Sequence, residues 1–168
     1  TANTRQLTEY VFQTLYHAES IEQAIPLILE VVGCQFDVSR AYVFENSEDG
    51  CSCSNTFEWC NVGISSQKEK LQNIAYASLD KYMDNFDENG VFFCQDIENT
   101  PQSQRTLLRE QGIYSLLQCA MCYDGLFAGF VGFDECTGHR LWTDEEIHAL
   151  TLLSELFNIF LLKKRDIK

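Results

Sequence analysis

The stretch 115–134, SLLQCAMCYDGLFAGFVGFD, consists of two β-rich runs around Asp124-Gly125. That dipeptide is preferred in a two-residue type I′ turn, so the stretch predicts a tight antiparallel hairpin. The turn sets Cys119 opposite Phe130 and Met121 opposite Ala128. Gly129 and Gly132 weaken the second strand, yet they leave room for another backbone, a helix or a ligand to come close.

Downstream, residues 129–150 gather Asp134, Glu135, Cys136, His139 and His148. A metal site or a Cys/His nucleophile pair would use such residues, and so would a strand end, a loop and a helix start. Architecture accounts for more of them. Thr143 and Glu146 form a capping box. Asp144, Glu145 and Glu146 crowd the positive end of the helix dipole, and Lys163, Lys164 and Arg165 the negative end. Between them run two apolar stripes, Leu150, Leu153, Phe157 and Phe160, then Leu152, Leu156 and Ile159. One stripe buries a helix on a sheet. The second predicts a further partner: the N-terminal helix, with Leu7, Val11 and Leu15, and the same helix pair of a second subunit. The alternative places both stripes in one intramolecular core.

Upstream, LTEYVFQTLYHAES (7–20) repeats apolar residues at helical spacing. Ser20 and Gln23 give a capping-box pattern ahead of a second helix, which Pro26 should bend or limit and Gly33 should stop. SRAYVFE (39–45) alternates Ala41 and Val43 against Tyr42 and Phe44. With SCSNTFEWC (52–60) it predicts another hairpin, closed by a longer loop. Residues 66–90 are aromatic and weakly helical. VFFCQDI (91–97) is a short strand, and Pro101 opens a helix that ends at Gly112. With no βαβ alternation, internal repeat or Pro/Gly/Ser linker, the order predicts one α+β domain.

A chain of 168 residues accommodates one domain with a real core. The formal charge of −13 disfavours nucleic acid and anionic membrane surfaces as partners. No apolar run approaches the ~20 residues of a membrane span, and no signal-peptide pattern opens the chain. The eight cysteines fall mostly within predicted strands and helices, so free thiols in a cytoplasmic setting are expected. The chain starts without Met and ends in LLKKRDIK with the helical pattern still running. We therefore expect a fragment: 1–19 a linker or dimer helix, 20–163 the core, and 164–168 the start of a linker to a further domain.

The candidate chemistry is thin. Cys119 and Cys122 are three apart on a strand and should face opposite sides. Cys51 and Cys53 share parity but Cys60 does not. Cys136 with His139, or His139 with His148, is the best remaining pair, although three carboxylates nearby would keep a thiol protonated. His17 suits a helix C-terminus. Phosphate-loop, dinucleotide, nucleophile-elbow and zinc-protease motifs are missing. No catalytic residue, metal or cofactor is therefore expected. The aromatic set Tyr42, Phe44, Phe57, Trp59, Tyr76, Tyr82 and Phe86, with Cys119 and Met121 of the hairpin, outlines a candidate small-molecule pocket; plain core is the alternative. Arg105 and Arg109, on the helix after Pro101, could orient an anion; solvated surface is the alternative.

The C-terminal half resembles the end of a GAF domain. The matching parts are Gly112-Ile113 before Ser115-Leu116-Leu117, the Asp124-Gly125 turn, the Gly129–Asp134 strand, Arg140, Trp142 and the helix led by Glu145 and Glu146. SRAYVFE resembles the family's first strand. The resemblance covers about residues 20–163. It implies a five- or six-stranded antiparallel sheet with helices on both faces, the terminal helices packed together and a ligand pocket on the other side. It also implies a non-catalytic sensory module of bacterial signalling proteins, dimeric and attached to an output such as a GGDEF-type diguanylate cyclase or a histidine kinase. Three features depart from the pattern. Ala120 stands where a proline often follows the strand start, no Cys-His dipeptide offers a bilin attachment point, and DENGVFFCQDI lacks the cysteine pattern of the methionine sulfoxide reductases. The alternatives are a constitutive dimerisation module and, further off, a thiol-dependent reductase.

Overall fold

A computed structural model describes residues 2–166, with side chains placed over 5–161. Helices α1 (Ala2–His17) and α2 (Ile21–Phe36) lead into strands β1 (Arg40–Asn46) and β2 (Ser52–Cys60). A short β3 (Ile74–Ala75), β4 (Val91–Cys94), helix α3 (Gln102–Glu110), β5 (Ser115–Tyr123), β6 (Leu126–Glu135) and helix α4 (Asp144–Asp166) follow. The strands form one sheet in the order β3-β2-β1-β6-β5-β4, with every neighbouring pair antiparallel.

The alternation in β1 divides the molecule into two cores. Ala41 and Val43 face a layer made of α1, α2 and α4, together with Leu29, Leu150, Leu153 and Phe157. Tyr42 and Phe44 face the opposite layer, made of 66–113, with Leu71, Leu79, Tyr82 and Leu108. Helices therefore lie on both faces of the sheet, and α1 touches both α2 and α4.

The β5–β6 turn forms as expected, with Asp124 at φ 50° and Gly125 at φ 76°. The register beyond it differs. Tyr123 pairs with Leu126 and Cys122 with Phe127, but Met121 then pairs with Gly129, Ala120 with Phe130 and Cys119 with Val131. Ala128 is an extra residue, a β-bulge that moves every later partner by one. A second bulge sits in β2, where Val43 pairs with Phe57 but Phe44 with Asn55, leaving Thr56 unpaired.

Two other local expectations change. Helix α2 runs past Gly33 and ends with Asp37 in the left-handed region at φ 50°. Gly33 is there for space: a Cβ on it would lie 2.3 Å from the Trp59 ring. Residues 66–90 form short 3-10 turns at Lys68–Lys70, Tyr76–Ser78 and Tyr82–Asn85 in place of a regular helix.

The α4 capping box is complete: Thr143 N donates to Glu146 Oε1 at 2.8 Å, and Glu146 N donates to Thr143 Oγ1 at 3.2 Å. Thr143→Ala should lower stability by about 1 kcal/mol, read from chemical denaturation. Just before it, Arg140 joins three elements. It donates to Phe36 O at 2.6 Å and Asp37 O at 3.1 Å, at the C-terminal end of α2, and to Glu135 Oε1 at 2.9 Å, at the end of β6. It also pairs with Glu146 of α4 and lies 5.0 Å from the centre of the Trp142 ring.

Leu7, Val11, Leu15 and Leu156 are buried within this one chain, Leu152 is half-buried, and Ile159 is 59% exposed. The side chains of Lys163, Lys164 and Arg165, and the expected linker at 164–168, lie outside the residues whose side chains are described.

Candidate functional site

The layer made of 66–113 encloses a cavity of about 40 Å³ against the sheet. The sheet contributes Tyr42, Phe44, Phe130, Gln118 and Asp134 to its wall, and β2 adds Cys53, Asn55 and Glu58. Ile74 comes from β3, Leu71, Tyr76, Leu79 and Tyr82 come from the 3-10 turns and the residues that end them, and α3 adds Gln104 and Leu108 on the far side. Backbone bonds fix the cover to β2, with Asn55 N donating to Leu71 O at 2.8 Å and Tyr76 N to Cys51 O at 3.0 Å.

The wall is aromatic with a polar seam. Phe44 stacks on Phe130 with ring centres 4.8 Å apart, and Tyr82 lies 5.7 Å from Phe130. Gly132 leaves room for the Tyr42 ring, since a Cβ there would sit 2.6 Å from it. Across the seam, Tyr82 Oη donates to Gln118 Oε1 at 2.5 Å, Gln118 Nε2 to Tyr42 Oη at 2.9 Å, and Tyr42 Oη to Asp134 Oδ1 at 2.8 Å. Arg40 Nη1 donates to Asp134 Oδ2 at 3.1 Å, and both side chains are 2% exposed. The guanidinium also bonds Ser65 O at 2.9 Å and Gln111 O at 2.8 Å. Burial pushes the Asp134 carboxyl up to about 6, against the pull of Arg40 and Tyr42.

Of the expected pocket residues, Tyr42, Phe44, Tyr76 and Tyr82 line the cavity. Phe86 packs on Tyr82, Phe92, Phe127 and Phe130, one layer further out. Phe57, Trp59, Cys119 and Met121 lie on the other face, in the core shared with α2 and α4. The bulges explain this, because Thr56 reverses the parity of Phe57 and Trp59, and Ala128 brings Phe130 opposite Ala120 instead of Cys119. The polar residues Asn55, Gln104, Gln118 and Asp134 were missed. Two of them carried a signal: Gln118 and Asp134 interrupt otherwise apolar strands.

This arrangement has close structural counterparts. The GAF domain of a phosphoenolpyruvate-protein phosphotransferase from Coxiella burnetii superposes at TM-score 0.79 and 13% identity, over 98% of this chain and 96% of that one. The chain has a GAF fold. The GAF domain of the cyanobacteriochrome TePixJ matches at TM-score 0.73 and 13% identity, over 89% of this chain and 93% of the other. The chromophore-binding domain of the Stigmatella aurantiaca bacteriophytochrome matches at 0.75 and 11%, over 95% and 60%. In sequence, this GAF domain is 31% identical over 134 residues to the methanogenesis regulatory histidine kinase FilI of Methanothrix harundinacea. That match takes in 77% of the chain but 15% of the kinase, so the domain corresponds to a small part of that protein. No family model matches the sequence.

All eight cysteines of the GAF domain are free. Burial pushes the thiols of Cys53, Cys94, Cys119 and Cys136 up to about 11, and that of Cys60 up to about 12, so these five are protonated at neutral pH. Cys119 is buried near Thr151 of α4, whereas Cys122 is exposed. Alkylation at mildly alkaline pH should therefore label exposed Cys34, Cys51 and Cys122 first, as peptide mapping would show. His139 pairs with Asp96 at 3.4 Å, and His148 is exposed on α4. Arg105 bonds the backbone of Glu98 and Thr100, and Arg109 pairs with the Glu98 carboxylate, so neither points into the cavity. No described helix is long and apolar enough to cross a membrane.

Proposed function

We propose that the domain is a non-catalytic sensor. A small molecule in the cavity biases the packing of the helical layer, and α4 carries the change to an attached output domain in the cytoplasm. One observation supports this above others: the cavity and α4 share strand β5. Gln118 bonds Tyr42 and Tyr82 at the cavity, while its neighbour Cys119 meets Thr151 of α4 at 3.6 Å on the opposite face. A shift of β5 is thus felt on both sides, and a coupling of ~1–3 kcal/mol suffices for control. The similarity to a segment of a histidine kinase favours a kinase output over a diguanylate cyclase.

The helical layer leaves Phe12, Tyr16, Leu27, Val31 and Ile159 exposed. A homodimer through this face fits the proposal, and Leu27→Glu should shift sedimentation towards the monomer. Mass spectrometry of molecules retained by the purified protein, followed by hydrogen exchange, tests the sensing role. A bound molecule should slow exchange in α4; tight binding that leaves α4 unchanged overturns the proposal.

The small size of the cavity favours a second reading, a constitutive dimerisation module whose pocket is filled by its own side chains. A cavity of about 40 Å³ is far below the hundreds of Å³ of drug-sized sites. That reading expects no retained molecule.

A further inference from the structure

The cavity wall has an unmet acceptor. Asn55 is 2% exposed and lines the cavity, and its Oδ1 accepts no hydrogen bond among the described residues. A buried acceptor left unpaired is costly, and in native structures it usually signals a missing partner. Oδ1 accepts only, so the partner must donate.

The charges around it have one sign. Among the described residues lining the cavity there is no Lys, Arg or His, whereas Glu58 and Asp134 both line it. Asp134 is neutralised by Arg40. Glu58 is held by neutral donors, with Ser66 Oγ at 2.5 Å on Oε1 and Gln67 N at 3.0 Å on Oε2. Aromatic faces, here Tyr42, Phe44 and Tyr82, add attraction for a cation. An anionic ligand would lose its hydration here and find no cation in return.

We propose that the cavity takes a small organic cation with N–H donors, an ammonium or amidinium, which donates to Asn55 Oδ1 and is held between the aromatic rings and Glu58. The inference rests on the sensor reading above and names the chemical class of the ligand. The volume of about 40 Å³ holds roughly three water-sized atoms, so the head group and little else fits this conformation.

Acetamidinium, acetamide and acetate have the same planar shape and carry positive, zero and negative charge. Each is titrated to millimolar concentration into the 168-residue chain, and the NMR signals of Asn55, Gln118 and Phe130 are followed. We expect saturable shifts in the order acetamidinium, then acetamide, with none for acetate. Asn55→Leu should reduce the acetamidinium response at least tenfold, and Asn55→Asp, which keeps the acceptor and adds charge, should strengthen it. Equal response to all three, preference for acetate, or no saturable shift with any of them overturns the inference. Indifference to both Asn55 substitutions overturns it too. The sensor reading fails separately, when acetamidinium shifts the cavity signals but leaves hydrogen exchange in α4 untouched, or when no molecule of any class is retained.

Discussion

Arg40→Met is expected to destabilise the domain by about 3–5 kcal/mol at neutral pH, the range for removing one partner of a buried ion pair. Arg40 and Asp134 sit on adjacent strands β1 and β6, directly paired, and both are 2% exposed. Methionine fills much of the arginine stem's volume but leaves the Asp134 carboxylate without its cation. It also leaves Ser65 O and Gln111 O without their donor. The pH dependence separates lost charge from lost packing. Burial already raises the Asp134 carboxyl from 3.8 to about 6, and loss of Arg40 raises it further. A raised carboxyl means that the folded state holds the proton more tightly than the unfolded state. The stability it contributes is full below the unfolded value near 3.8 and is lost as pH rises through the folded value. The deficit of Arg40→Met should therefore shrink as pH falls from 8 towards 5, in urea melts run across that range. A deficit independent of pH would mean that packing, not charge, is what Arg40 supplies. Replacing both residues, as Arg40→Met with Asp134→Leu, should recover most of the loss.

Gly129→Val is expected to cost about 3 kcal/mol or more, because two penalties add at one residue. Gly129 sits at φ +142°, a conformation that L side chains rarely adopt. A Cβ built on it would lie 2.1 Å from the Phe44 carbonyl oxygen and 3.1 Å from Glu45 Cα. Both are backbone of β1, which is held by β2 on its other side and cannot withdraw. Relief would need the Ala128 bulge to open, which would return β5 and β6 to the uninterrupted register. Chemical denaturation gives the stability. NMR of the variant shows whether Cys119 now lies opposite Phe130 instead of Val131. A loss below about 1 kcal/mol, the scale of an ordinary surface change, would show that the bulge is not rigid.

Alternation made most of the sheet legible. Ala41 and Val43 part from Tyr42 and Phe44 as read, and Asp124-Gly125 makes the turn it is built for. The two bulges were not legible. Thr56 carries no mark as an extra residue, and Ala128 carries only the glycine beside it. A one-residue insertion exchanges the faces of everything beyond it, which is why Phe57 and Trp59 lie against α2. The cover of the cavity escaped for a different reason. Residues 66–90 are 3-10 turns fixed by Asn55–Leu71 and Cys51–Tyr76 backbone bonds, and such distant pairings have no local period. The acid–base pair across β1 and β6 was within reach, since Arg40 and Asp134 each stand in an apolar strand.

Arg140 fastens the base of α4 to the end of α2 and to the rim of the sheet. Beyond that root, Leu150, Leu153, Phe157 and Leu161 seat the helix in the core it shares with the sheet. Its 23 residues span ~34 Å. Held at one end and along one side, it can neither slide past the strands nor turn about its own axis without repacking them, so any movement of β5 and any movement of α4 are one event.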